Sequence, residues 1–377
     1  MRIMQIATYF GAGGGIPRHV LDLSEWLRAK GHFVLEAGSP FGSLDVSRDT
    51  FLQLALDRVS GHDNDDQIDS TVVRVGWLFR SAWKLRKEVI RNKIELIHTH
   101  ETAPLLVAWL ATRGLGIPIV TTYHGAAPNR LKGLARTYRW CADYVVSPSK
   151  TSLEMLISRG VDRSRARQLG LGVHKWNAPD EDRIKQIRAE FLGTSGTHLV
   201  LSLSRLDEQK ALDVLIKIAA NAQKIIPGLR IVVGGDGPLL ETLQKLAQEE
   251  GVDDIVVFPG LLRDVECYLC ASDLYVLTSR WEELPISIVE ALRAGLPVIA
   301  TNCGGVSELV DDTVGRLCEV DDEAALTQAL CEICENDELR ERLSANAFKR
   351  SSESRFCINS VNQTFEDMYF DVLGQRS

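Results

Sequence analysis

The feature that most constrains the fold is a rhythm of short apolar runs, each ended by a glycine or polar turn and followed by a helical pattern. Residues 3–9 form the first run and GAGGG breaks it. HVLDLSEWLRAKG then places apolar residues at 20, 21, 23, 26 and 27, an amphipathic helix stopped at Gly31. His32–Ala37 is a second strand. The unit recurs at ELIHTH, IPIVTTYHG and ADYVVSPS. A charged stretch, Pro179–Leu192, interrupts it, and HLVLSLS, LRIVVGGDGP, DIVVFPG, DLYVLT and LPVIAT restart it. Apolar runs separated by helices predict parallel sheets buried on both faces. Two such rounds in 377 residues predict two α/β domains, with the boundary near residue 175.

The densest polar chemistry lies in Ser279–Leu309, SRWEELPISIVEALRAGLPVIATNCGGVSEL. Pro285 stands where a first helical residue belongs and Gly295 where a helix stops. Between them ISIVEALRA is almost wholly apolar, which makes Glu290 a carboxylate on a buried-looking helix. Glu282 precedes that helix in a loop, and GGVSE, with Gly304, Gly305 and Glu308, follows the next strand. Both turns fall at carboxyl ends of strands, where open α/β sheets bind ligands. Tyr123 and His124 are delivered by another strand end. A polar role and a core histidine bonded to backbone are both open for His124.

Several other signals are tested and set aside. A dinucleotide fingerprint fits Gly11 and Gly13 but meets Ile16 at its third glycine, with Glu36 in the place of a ribose acid. Cys267/Cys270 and Cys331/Cys334 have metal-like spacing, yet they sit in helical patterns and are expected to be reduced helix residues. HDNDDQID has no strand or turn to frame it and is expected to be a solvated loop. No apolar run has the length of a membrane span, and MRIMQIATYFGAGGG suits a first strand better than a leader, so the expected location is cytoplasmic.

The net charge of −8 conceals a split: residues 1–175 carry 24 Lys+Arg against 16 Asp+Glu, and residues 176–377 carry 19 against 35. The basic half is expected to meet something anionic. Two basic stretches fall in it, RSAWKLRKEVIRNK within a helix at Leu78–Lys93, and residues 128–141. In the latter Leu131, Leu134 and Tyr138 share a face and Arg130, Lys132, Arg136 and Arg139 are interleaved. Such stretches suit either an anionic membrane surface, peripheral to the inner face, or an ordinary solvated helix face.

Taken together, the glycine turn and His19 near the N-terminus, SRLDEQK, GGDGP, SRWEELPISIVEALRAGLPVIAT and GGVSE resemble the retaining glycosyltransferases of family 4, which have the GT-B fold. The resemblance spans nearly the whole chain, and its most specific part is the pair Glu282 and Glu290 followed by AGLPVIAT. It implies two Rossmann-like domains facing across a cleft: residues 1–175, joined by a returning C-terminal helix at about 358–377, and residues 176–357. It further implies a nucleotide-sugar donor, a lipid-linked or oligosaccharide acceptor, no nucleic acid, no cofactor and no metal. Residue by residue, the resemblance assigns the donor diphosphate to Arg205 and Lys210. Backbone groups of Leu284, Pro285 and Ile286 go to the phosphates or sugar, Glu290 to the ribose, Glu282 to the transferred sugar, and Gly260 and Arg263 to the base. Glu308 belongs to the same site, Gly14 and Gly15 close over the phosphates, His124 stands near the reacting centre, and His19 and Tyr123 are acceptor-side.

The implied reaction is transfer of a hexose to an acceptor hydroxyl, in surface polysaccharide, lipopolysaccharide or glycolipid synthesis, with retention of configuration. Alternatives are a same-fold sugar-nucleotide epimerase or phosphorylase, a non-catalytic nucleotide-sugar binding protein, and an NAD-dependent oxidoreductase. The chain departs from the family pattern at Glu283, Leu284 and Pro285, at Ala211 in place of a glycine, and in LGLGVHKW, which keeps Gly172 and Val173.

Overall fold

The structure is a computed structural model that describes residues 1–10, 15–40, 50–60, 70–174, 176 and 178–374. Gly11, Gly13, Gly14 and the HDNDDQID segment up to Asp69 lie outside the described residues. The chain forms two compact units, residues 1–170 with 359–377, and residues 171–358.

The first unit is built on seven parallel strands: β1 (Arg2–Phe10), β2 (Phe33–Pro40), β3 (Phe51–Gln53), β4 (Leu96–His100), β5 (Ile119–Thr122), β6 (Tyr144–Ser147) and β7 (Ala166–Gln168). Their spatial order is β3-β2-β1-β4-β5-β6-β7. The second has six parallel strands: β8 (His198–Leu203), β9 (Leu229–Gly234), β10 (Val256–Gly260), β11 (Leu274–Leu277), β12 (Val298–Thr301) and β13 (Gly315–Cys318). Their order is β10-β9-β8-β11-β12-β13. Both are doubly wound. The strand order reverses beside the first strand of each sheet, between β1 and β4 and between β8 and β11, which opens a crevice at the carboxyl ends there.

The rhythm of apolar runs was a sound guide because the central strands are covered on both faces, and β11 and β12 are buried at every residue. It was less informative at edges. Strands β3, β7 and β13 went unanticipated; β3 and β7 have only three residues each and β13 pairs at one sheet edge, so a continuous apolar run is not required of them. The charged stretch after residue 179 is a helix, Glu181–Leu192, started by the Asp180 carboxylate accepting from the backbone N–H groups of Asp182 and Arg183. The basic helix runs Thr71–Arg91, beginning seven residues before the expected start, because its first two turns are exposed and carry no core periodicity.

The C-terminal helix, Ile358–Gly374, packs in the first unit, where Val361, Phe365, Met368, Tyr369 and Val372 form a core with Ile3, Leu23, Leu27, Val34, Leu96, Val120 and Val146. It is acidic, so the first unit as folded has 24 Lys+Arg against 19 Asp+Glu, a smaller surplus than the N-terminal sequence alone carries. Gly172 lies in the second unit, where a Cβ would stand 2.4 Å from the Ile358 Cα. Beside it Val173 bridges to Cys357, so a side chain at 172 has no room.

Candidate active site

In the second unit the crevice between β8 and β11 is occupied by an ion pair. Lys210 follows β8 at the end of a short 3-10 turn, Glu208–Lys210, and Glu282 follows β11; Lys210 Nζ stands 2.5 Å from Glu282 Oε1. The side chains are 18% and 7% exposed, and two further donors hold the carboxylate: Ser279 Oγ at 2.7 Å and Gln209 Nε2 at 3.4 Å. A carboxylate this buried needs such partners to offset its lost hydration. Arg205 is nearby in sequence but 72% exposed, with Asp207 at 3.7 Å.

The loops at this edge are stitched to one another by glycines. Gly304 has φ +53°, and a Cβ on it would stand 1.9 Å from the Glu282 carbonyl oxygen, while Gly305 N–H donates to the Glu283 carbonyl at 2.8 Å. The two turns of Ser279–Leu309 are therefore one packed unit. On the other side a Cβ at Gly235 would meet the Ser204 carbonyl at 1.8 Å, which brings the GGDGP turn against the Arg205 loop. Ala211 occupies the left-handed region (φ 48°, ψ 45°), and Thr278 Oγ1 donates to the carbonyls of Lys210 and Ala211 at 2.9 and 3.0 Å. The conformation that favours glycine is thus retained with alanine in it.

The remaining donor-side residues are placed as follows. The helix is Ile286–Arg293 with Pro285 as its N-cap rather than its first residue, so the open backbone N–H groups begin at Ile286. Leu284 and Pro285 are buried, Ile286, Glu290 and Glu308 half-buried. Gly260 ends β10 with φ +81° and nothing near its missing Cβ, and Arg263 is exposed beyond it. The Cys303 thiol donates to the Ser279 carbonyl at 3.4 Å, and burial, with the Glu282 charge as a smaller cause, pushes its pKa up to about 11.

The crevice of the first unit holds a histidine cluster that only partly matches expectation. His124, at the end of β5, has Nε2 3.1 Å from His100 Nδ1, and the rings stack at 5.4 Å. His100 Nε2 reaches Gln5 Oε1 on β1 at 2.9 Å. His98 lies tilted against His100, ring centroids 4.1 Å apart, and spans Tyr369 Oη (2.6 Å) and Thr122 Oγ1 (2.7 Å). His19, 4% exposed on the helix Gly15–Ala29, lies edge-on to His100 and His124, and neither of its ring nitrogens has a partner among the described residues. Burial holds all four neutral, lowering His19 to about 4, His124 to about 3 and the other two well below the ordinary value. Next to them Glu101 accepts from Thr8 N–H at 2.9 Å, and burial raises its pKa.

Tyr123 is a correction: its ring lies in the apolar core, edge-on to Tyr138 at 6.5 Å, because alternation on β5 turns it away from the histidines. Glu36 is another. Its side chain is buried and ion-paired with Arg28 at 3.0 Å, so it is not presented to a ribose. Gln5, His98, His100 and Tyr369 were missed. The available signal was ELIHTH itself, where two histidines share one face of an otherwise apolar strand. Cys267 and the pair Cys331/Cys334 belong to two different cores, Cys270 is half-buried, and among the described residues no group of three His, Cys, Asp or Glu is arranged to hold a metal ion.

Two doubly wound sheets, each with polar residues gathered at the reversal of strand order, define a class of α/β protein in which ligands bind at that point. The family model described as glycosyl transferases group 1 matches residues 183–350, and that of glycosyltransferase family 4 matches residues 13–175. The chain belongs to this glycosyltransferase family. It is 26% identical over 371 residues to the alpha-monoglucosyldiacylglycerol synthase of Streptococcus pneumoniae, covering 92% of this chain and 81% of that one. It is 28% identical over 365 residues to the phosphatidyl-myo-inositol mannosyltransferase of Mycobacterium leprae, covering 92% and 90%. In fold it resembles the GT-B protein HepE of Anabaena, solved with UDP and glucose, with TM-score 0.80 and 19% identity over 98% of this chain and 100% of that one.

Proposed function

We propose that this glycosyltransferase moves a hexose from a nucleoside diphosphate sugar to a hydroxyl of a membrane-associated acceptor, with retention and without a metal ion. The observation that carries the reading is the buried Lys210–Glu282 pair at the β8–β11 crevice. In the free protein each charge neutralises the other. When the donor binds, Lys210 exchanges its carboxylate for the diphosphate, joined by the exposed Arg205, and Glu282 turns to the hydroxyls of the sugar. Two cations then stabilise the charge that develops on the leaving nucleoside diphosphate, the task a metal performs elsewhere. Backbone N–H groups from Ile286 onward add to the anion site. Leu284 and Pro285 shape its floor, Glu290 accepts from the ribose hydroxyls, Gly260 and Arg263 border the base, and Glu308 supports the sugar. In the first unit His19 and His124 face the acceptor.

A lipid acceptor extends what the names of the two relatives say of them, and one surface supports it. The Thr71–Arg91 helix exposes Val72, Phe79, Ile90 and Trp83, the last 62% exposed with Lys87 Nζ 3.5 Å above its ring. Arg80, Lys84 and Arg91 stand among them and are also exposed. Beside this helix a cavity of about 380 Å³ is lined by Arg58, Trp77, Arg80 and Lys84. Aromatic groups interleaved with cations suit the interface of an anionic bilayer, and no described helix is long and apolar enough to cross one.

The test is a donor panel: nucleoside diphosphate release from UDP-, GDP- and ADP-sugars, with and without lipid acceptors, in excess EDTA. Release should depend on one donor and on acceptor, and Lys210→Ala should lower turnover by roughly two orders of magnitude or more. A folded Lys210→Ala protein with wild-type turnover would refute the donor assignment.

A further inference from the structure

The β1–β4 crevice contains five hydrogen bonds that cannot be assigned independently. Three of its members are neutral imidazoles, and a neutral imidazole has one donor and one acceptor nitrogen. Gln5 joins the two arms of the cluster: Oε1 lies 2.9 Å from His100 Nε2, and Nε2 lies 3.2 Å from Tyr369 Oη. With its carbonyl oxygen toward His100, that ring must carry its proton on Nε2. His100 Nδ1 is then an acceptor, and His124 Nε2, 3.1 Å away, must donate to it. The other arm closes consistently. The Gln5 amide donates to Tyr369, whose hydroxyl donates to His98 Nδ1 at 2.6 Å, and His98 Nε2 donates to Thr122 Oγ1 at 2.7 Å. Rotating the Gln5 amide by half a turn reverses every one of these bonds and places the His124 proton on Nδ1. The cluster therefore has two complete registers, and one residue on β1 selects between them.

We propose that Gln5, acting through His100, is a positioning residue that holds His124 with its proton on Nε2 and the lone pair of Nδ1 directed outward as a hydrogen-bond acceptor. In this register the Nδ1 of His124, which makes no bond among the described residues, is the one basic valence the inner network leaves open toward a ligand. It is suited to accept from an acceptor hydroxyl. His19, edge-on to the same ring with two nitrogens unpartnered among the described residues, borders that position. The bond accounting stands on the geometry and on the neutrality of the buried rings; the meaning for transfer rests on the reading of His124 given under Proposed function.

Nitrogen NMR of the full-length protein labelled at histidine tests the two parts separately. In the free wild-type protein His124 and His100 should each show a protonated Nε2 and an unprotonated Nδ1. Gln5→Met removes both bonds at similar volume and should leave His124 as a mixture of tautomers. It should lower kcat by about two-fold or more, in step with the fraction of His124 left in the wrong tautomer, with the donor KM unchanged. Gln5→Glu retains an acceptor oxygen and should restore the wild-type tautomer and most of kcat. A wild-type His124 protonated on Nδ1, or a Gln5→Met protein with unchanged tautomers, overturns the proposal. The wild-type spectrum decides even where the variants fail to fold. Correct tautomers in a protein that releases no nucleoside diphosphate would instead count against the transferase reading alone.

Discussion

Lowering the pH from 7 to 5 should destabilise the first unit selectively, and the histidine cluster sets the size of the effect. His19 titrates at about 4 and His124 at about 3 in the folded protein, both because of burial, against about 6.5 in the unfolded chain. Between those limits the unfolded state binds more protons, so stability is retained above about pH 6.5 and lost as pH falls. Each group contributes a slope approaching about 1.4 kcal/mol per pH unit. Over the interval from 7 to 5 that amounts to roughly 2 kcal/mol each, or about 4 together. His98 and His100 are lowered too and act in the same direction. Asp22, which raises His19 slightly, is already included in its value. Glu101 opposes the trend, since its raised carboxyl pKa relieves the folded state on protonation, but only below that value. Urea unfolding followed by tryptophan fluorescence reports mainly this unit, because Trp26, Trp77, Trp83, Trp109 and Trp140 lie in it and only Trp176 and Trp281 in the other. His19→Phe should remove about one proton from the slope while keeping the contact with Phe365. Stability that is flat between pH 7 and 5, or a His19→Phe slope equal to wild type, would refute the reasoning.

Further outcomes follow from the second unit and the exposed helix. Gly304→Ala should cost roughly 2–4 kcal/mol, from the left-handed backbone and overpacking against Glu282; an unchanged thermal midpoint would contradict that contact. Ala211→Gly should change the urea midpoint by less than about 1 kcal/mol, since relief of about 1–2 kcal/mol in the left-handed region is offset by a lost buried methyl and a more flexible chain. Replacing Phe79 and Trp83 together by Ser should weaken co-sedimentation with phosphatidylglycerol vesicles by ten-fold or more, at roughly 1.5–3 kcal/mol per buried aromatic. Equal sedimentation by both proteins would remove this helix from the membrane reading.

Much of this architecture is written locally in the chain. The strand–turn–helix rhythm and the break before residue 179 follow from which residues neighbour one another along the backbone, as does the stop at Gly295, whose φ of +74° an L side chain rarely adopts. Glu282 and Glu290 drew notice because a carboxylate beside or within an apolar helix is conspicuous in one dimension. Pairings across the sheets were not legible. That Lys210 meets Glu282 depends on β8 and β11 lying side by side, which a separation of 72 residues does not announce. The histidine cluster is the sharper case. His98 and His100 are two letters in a short strand, and Gln5 and Tyr369 are 364 residues apart. What joins them is a parallel strand order and the return of the last helix to the first unit. Once burial removes water, Gln5, His98, His100 and Tyr369 must find their partners within the cluster. Residue chemistry was readable from the sequence; which residues must share protons was decided by the fold.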